Sequence, residues 1–237
     1  MGVGPGDPEL LTVAAVRAIA AADLIAFPVA RADATGMAAT IAARWINPEQ
    51  ERLPLTFPMV SEAEPRQAAW RAAADALADA VRAGRTVVLL CEGDVSLYAT
   101  ASYVLLSLRQ HHPGIPVRLI PGISAVAAAG AAAAWPLALQ SEGLLIQPTP
   151  DTPEALAALL DRAAADGWVL ALLKLGQRWA WVRPLLERRG LLAEALFAAR
   201  IGWPEQRLAA AAELAAGEEP YFSLLLIRQG QPPVLPT

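Results

Sequence analysis

Three short glycine-bearing loops hold the residues of this sequence best suited to chemistry. The first is GVGPGDP, which opens the chain after Met1. Gly2, Gly4 and Gly6 allow the backbone to turn sharply or to lie close to a ligand. Asp7 is a good helix N-cap, and Pro8 suits a first helical position, where no amide donor is needed. The segment reads as a strand-to-helix turn whose amides could face a ligand, and equally as a tight structural turn. It is a poor dinucleotide fingerprint. That pattern needs a third glycine three positions after Gly4, and Asp7 stands there and would repel a pyrophosphate. The second loop is CEGDVSLYAT, residues 91–100. Gly93 and Asp94 follow an apolar run, where open α/β sheets place ligands. Asp94 could accept hydrogen bonds from ribose hydroxyls or an ammonium group, or cap a helix starting near Ser96. In the third loop, IPGISA, Ser124 and Ala125 are small enough to admit a flat ring beside the backbone.

Several other chemistries lack their residues. No nucleophile–base pair stands out. Cys91 is the single cysteine, so there is no intrachain disulfide and no cysteine metal cluster, and it reads as a core residue. The two histidines, His111 and His112, are adjacent, so no metal site is expected. A formal net charge of -4 argues against nucleic acid as the partner. The most apolar stretch, residues 123–139, is mostly alanine, contains Gly130 and Pro136, and falls short of a membrane span. It reads as an internal helix. No basic-then-apolar leader is visible, and a cytoplasmic setting is expected.

The elements that must position the loops follow from the apolar pattern. Candidate strands are DLIAFP (23–28), TVVLLC (86–91), PVRLIP (116–121), GLLIQP (143–148), WVLALLK (168–174), EALFAAR (194–200) and YFSLLLI (221–227). Most lack polar alternation, as expected when helices cover both faces of a sheet. Alanine-rich helices are expected over 8–22, 65–83, 153–165 and 179–189, with Gly84 and Gly190 as stops. Alternating strands and helices predict an α/β architecture. A division near Pro121 gives two domains, 1–121 and 122–237, and the tail QGQPPVLPT reads as loose.

With these segments in place, the chain resembles the tetrapyrrole methyltransferases of the cobalamin pathway. GVGPGDPELLTVAAVRAI, EGDVSLYATASYV, IPGISAVAAA and PYFSLLLI carry the resemblance. LTFPMV, CEGD, ALLKLGQRW and PYFSLLLI are most similar to the branch that methylates carbon 20 of precorrin-2. The resemblance implies two α/β domains enclosing S-adenosylmethionine, a homodimer, and no metal requirement for methyl transfer. By motif, Pro5 belongs to the opening loop. Glu92, Gly93, Asp94 and Leu97 would lie along the methionine and ribose, with Tyr98 close by and Ser124 and Ala125 beside them. Leu173 and Gly202 would lie around the adenine and its ribose. Tyr221 and Phe222 suit either the border of that pocket or a buried strand.

Departures from the family pattern also carry expectations. Val95 replaces a usual proline, which implies a less rigid second loop. Pro28 stands where members with another chemistry carry an aspartate base. Family chains normally have a further strand's worth of residues before GVGPGDP, so an interior strand is expected to be mostly absent here. The implied substrate is rich in carboxylates. Arg31, Lys174 and Arg178 are candidates to bind it, whereas Arg44 reads as a solvated charge. A sulfonium donor and an electron-rich ring carbon need alignment more than acid–base help. Orientation can supply roughly 7–11 kcal/mol. The alternatives left open are a cobalt-loaded substrate, another target carbon, and a non-catalytic binder that keeps the fold.

Overall fold

The computed structural model describes residues 1–31, 34–60 and 62–230. The chain separates into two compact units, Met1–Ala125 and Val126–Thr237. Each combines a sheet with helices, so the architecture is α/β.

In the first unit, β1 (Leu24–Val29) lies between β2 (Glu51–Thr56) and β3 (Val87–Leu89), all parallel. Leu24, Ile25 and Ala26 of the central strand are fully buried. The helices are α1 (Val13–Ala20), α2 (Met37–Ala42), α3 (Ala63–Arg82) and α4 (Thr100–His111). Ala73, Ala74 and Ala78 on α3 are small enough to bring that helix close to the sheet. Leu77 of α3 and Val104 and Leu108 of α4 fill the layer against Ala26 and Leu55. Trp70 stacks on Tyr103 across these two helices, with ring centroids 4.3 Å apart. His112 fastens the end of α4. The Arg82 guanidinium donates to Nδ1 at 2.8 Å, and a guanidinium can only donate. Nε2 therefore carries the ring proton and donates to Asp75 Oδ1 at 2.6 Å.

The second unit begins with α5 (Ala125–Ala132), which bridges the unit boundary in sequence. Its sheet has the order β4-β5-β8-β6-β7. The strands are β4 (Gly143–Pro148), β5 (Trp168–Leu173), β6 (Ala195–Ala199), β7 (Arg207–Ala210) and β8 (Ser223–Ile227). β4 and β5 are parallel, and the other pairs are antiparallel. All five residues of central β8 are buried. Helices α6 (Pro153–Asp166) and α7 (Trp179–Arg188) bury Leu156, Leu160, Val182 and Leu186 against it. Trp179 meets Phe197 at 6.0 Å between ring centroids. Each large apolar side chain so buried contributes about 1.5–3 kcal/mol.

Several sequence expectations are corrected. The helix expected over 8–22 is a 3-10 turn, Pro8–Leu10, followed by α1, because Thr12 starts a new helix by accepting from Ala15 N–H at 3.1 Å. No helix starts at Ser96, since α4 begins at Thr100. The internal helix of 123–139 is only the eight residues of α5. The segment 116–121 is not a strand. Its one backbone hydrogen bond among the described residues runs from Gly2 N–H to Ile120 C=O at 3.0 Å, and Val117 and Leu119 remain exposed. Tyr221 and Phe222 are exposed ahead of β8, which removes the buried-strand reading for both.

A bidentate pair tests the electrostatics of the second unit. Arg228 donates from Nε to Glu142 Oε1 at 2.8 Å, and from an Nη to Oε2 at 3.0 Å. These bonds hold the Glu142 carboxyl below its ordinary value of 4.5. A carboxylate with a lowered folded pKa stabilises the fold above the unfolded value, and that contribution is lost as pH falls through the folded value. Glu142→Gln should therefore cost roughly 1–3 kcal/mol at pH 7. The difference in Tm from the parent, measured by scanning calorimetry, should close as pH falls below 4.5.

Candidate active site

The three glycine loops of the first unit meet at the C-terminal end of its parallel strands. Residues 1–4 run beside the continuation of β3. Val3 N–H donates to Cys91 C=O at 2.9 Å, and Gly93 N–H donates to Gly4 C=O at 2.8 Å. Gly2 bridges Cys91 in parallel, and Gly4 bridges Gly93 in antiparallel fashion. Gly4 and Gly93 have φ of +78° and +65°, a region that strains other residues.

Gly2, Gly93 and Gly122 are pressed together. A Cβ on Gly2 would lie 2.4 Å from Gly93 O and 2.8 Å from the Gly122 Cα. A Cβ on Gly122 would lie 2.3 Å from Gly93 O. No side chain fits between these backbones. On Gly93 itself an added Cβ would meet nothing within 4 Å, so the second loop turns an open backbone face outward.

Asp94 joins the second loop to the third. Its Oδ2 accepts from Gly122 N–H at 2.9 Å, and Oδ1 accepts from Ser96 N–H at 2.9 Å and from Ser96 Oγ at 2.5 Å. Burial pushes the Asp94 carboxyl up, but hydrogen bonds from Ser96, Gly122 and Val95 outweigh it and hold the group below its usual range. Glu92 behaves in the opposite way. Burial raises its carboxyl, and the bonds from its own amide and from Ala38 N–H, 3.2 Å from Oε1, only partly offset that. Burial also pushes the Cys91 thiol up to about 12, so it stays protonated and unreactive at neutral pH.

Val95, expected to loosen the second loop, is buried with Cys91, Ala99 and Ala101, and its carbonyl accepts from Ser102 Oγ at 3.1 Å. Pro5 is half-buried in the first loop. Leu97 is half-buried in the turn after Asp94, where Tyr98 adopts φ +52° and is exposed. Ser124 and Ala125 complete the third loop and open α5. Pro5, Glu92, Gly93, Asp94, Leu97, Tyr98, Ser124 and Ala125 thus sit on the three joined loops. Arg31 is exposed beyond the end of β1.

Leu173, Lys174, Arg178 and Gly202 belong to the second unit. β5 and β6 both run antiparallel to β8, so Leu173, the 200–202 turn and the start of β8 share one end of that sheet. Gly202 has φ +82°, and its N–H donates to Gln206 Oε1 at 2.8 Å. Lys174 has φ +56°, and its Nζ lies 6.0 Å from the Tyr221 ring. The Arg178 guanidinium is engaged with Asp151 and the Lys174 carbonyl. The role of Gly122 as the third member of the glycine contact escaped the sequence reading. Its signal was present, since each of the three loops carries a glycine. Among the described residues, no three His, Cys, Asp or Glu side chains form a group able to hold a metal ion. No helix among them is long and apolar enough to cross a membrane.

Residues 1–215 match the Tetrapyrrole (Corrin/Porphyrin) Methylases, and the chain belongs to this family of methyltransferases. Among individual relatives, it is 34% identical over 235 residues to the precorrin-2 C(20)-methyltransferase of Sinorhizobium sp, covering 96% of this chain and 93% of that one. It is 29% identical to the cobalt-precorrin-2 C(20)-methyltransferase of Salmonella typhimurium, covering 97% and 94%. It is also 34% identical to the cobalamin biosynthesis protein CobIJ of Mycobacterium tuberculosis, covering 98% of this chain but 46% of that protein. Among solved structures, the methyltransferase CobJ matches with a TM-score of 0.67 and 25% identity, covering 96% of this chain and 91% of that one. Uroporphyrin-III C-methyltransferase from Thermus thermophilus, complexed with S-adenosylhomocysteine, shares the fold with a TM-score of 0.64 at 23% identity, covering 97% and 95%.

The glycine contact gives a direct prediction. Gly122→Ala must push the second loop away from Gly2, at a cost of about 1–3 kcal/mol typical of overpacking. That corresponds to a Tm lowered by roughly 2–4 °C per kcal/mol for a chain of this size. An unchanged Tm in scanning calorimetry would show that the loops are not in contact.

Proposed function

We propose that this chain is an S-adenosylmethionine-dependent methyltransferase that adds a methyl group to carbon 20 of precorrin-2. The observation that carries this reading is the 34% identity to a precorrin-2 C(20)-methyltransferase along nearly the whole of both chains. The joined loops support it. Gly93 offers an open backbone face, and the contact of Gly2, Gly93 and Gly122 sets a floor without side chains, which suits a flat, polar cofactor. Bound S-adenosylmethionine supplies a methyl group activated on a sulfonium.

In this reading Pro5, Glu92, Gly93, Asp94, Leu97, Tyr98, Ser124 and Ala125 hold its methionine and ribose, and Leu173 and Gly202 its adenosine. The assembly is a homodimer. Asp94 stays ionised and fixes the second loop against the third, so the chain orients the methyl group before the ring carbon arrives. Water excluded from that contact favours dispersal of charge as the sulfonium is neutralised. Arg31, Lys174 and Arg178 receive the substrate's carboxylates. Arg178 would exchange its pairing with Asp151 for one with substrate. A second reading, the cobalt-loaded form of the same substrate, is favoured by the likeness to the Salmonella typhimurium enzyme.

Two experiments test the reading. Incubation with metal-free precorrin-2 and methyl-labelled cofactor should give a product one labelled methyl heavier by mass spectrometry, with NMR placing it on carbon 20. Turnover of the cobalt-loaded substrate alone would select the second reading, and turnover of neither would reject both. Arg31→Ala should raise the substrate KM roughly tenfold, the scale of one lost charged contact. It should leave calorimetric affinity for S-adenosylhomocysteine unchanged. Loss of that affinity instead would move Arg31 to the cofactor.

A further inference from the structure

Glu92 reaches outside the three joined loops. Its Oε1 accepts from Ala38 N–H at 3.2 Å, across 54 residues of sequence. Ala38 is the second residue of α2 and is fully buried. An amide in the first turn of a helix has no partner within that helix. Gly36, the N-cap of α2, has no side chain to offer it one. Glu92 supplies that acceptor from another loop.

The start of α2 is also pressed onto β1. A Cβ on Gly36 would lie 2.5 Å from the Phe27 ring and 2.8 Å from the Pro28 carbonyl oxygen, so the backbone there rests on the end of β1. Gly36 C=O accepts from Thr40 N–H at 2.9 Å and from Thr40 Oγ1 at 3.1 Å, which fixes the first turn of α2. Arg31 stands two residues beyond β1, and its C=O accepts from Ala34 N–H at 3.0 Å. On the other side, Leu90 N–H donates to Ala26 C=O at 2.8 Å, so the chain leading to Glu92 also runs beside β1. A displacement of Glu92 therefore bears on the start of α2 and, through Gly36, on the end of β1 that leads to Arg31.

We propose that Glu92 is a positioning residue that couples two ligands. Through Ala38 and Gly36 it joins the loop that holds the methyl donor to the segment that carries Arg31, so donor and tetrapyrrole substrate each raise the other's affinity. This inference rests on the function proposed above for what binds at the two ends. The coupling survives protonation of Glu92, since a neutral carboxyl still accepts through one oxygen. It favours the complex that contains both reactants, which is the one that orientation can act on.

The test is calorimetry of S-adenosylhomocysteine, which has no methyl group to transfer, with and without saturating precorrin-2. In the parent, precorrin-2 should tighten its binding about fivefold or more. Glu92→Gln keeps a carbonyl acceptor for Ala38 and should retain that ratio. Glu92→Ala should bring the ratio close to one. If Glu92 served only as a cofactor contact, the alanine variant would weaken both measurements equally and leave the ratio intact, which would overturn the proposal. A parent ratio of one with both ligands bound would also overturn it. A parent that fails to bind one or both ligands would reject the proposed function, and this inference with it. Should Glu92→Ala fail to fold, the parent alone decides. S-adenosylhomocysteine should slow hydrogen exchange at the Ala38 amide roughly threefold or more. Unchanged exchange there, with the ligand bound, would overturn the coupling.

Discussion

The site of the first unit depends on one steric constraint: three backbones pass so closely at Gly2, Gly93 and Gly122 that no Cβ fits between them. This contact fixes where the first loop crosses the second and where the third begins. Asp94 then locks the arrangement, because an ionised carboxylate accepting amides from its own loop and from Gly122 is a strong, directional brace. Steric fit sets the distance between the loops, and the charge sets their orientation.

The surrounding fold supplies rigidity and electrostatic sorting. β1 is buried and held by parallel partners on both sides, so the loops leave from a fixed edge. Two neighbouring carboxyls, Glu92 and Asp94, shift in opposite directions, because the Glu92 carboxyl is far more deeply buried and Asp94 receives more hydrogen bonds. The result is one carboxyl biased toward neutrality and one held ionised within three residues. Proposed methyl transfer from a sulfonium benefits from such an arrangement, since a fixed negative charge and an otherwise uncharged floor orient a cation without competing for its methyl group.

Much of this was legible in the sequence. β1, β4, β5, β6 and β8 were readable because each is an apolar run between turn residues, and α3, α6 and α7 because their alanine and leucine spacing is regular. The α/β class and the three glycine loops followed from the same pattern. What escaped has physical causes. β2, ERLPLT, opens with two charges and contains Pro54, as an edge strand can, and its pairing with β1 is invisible locally. β7 is four residues at the other sheet's edge. Residues 116–121 had a strand's composition, but composition does not supply the hydrogen-bonding neighbour that makes a strand. Asp94 was readable as a helix cap or as a ligand group. Only the meeting of loops far apart in sequence reveals it as the brace to Gly122.

The most direct test of this account is residue-resolved amide hydrogen exchange with and without S-adenosylhomocysteine. If the joined loops hold the cofactor, exchange at Gly93, Leu97 and Ser124 slows together on addition of the ligand, while the buried β8 amides stay unchanged. Binding that leaves all three loop amides unprotected, or protects one loop without the others, would contradict it.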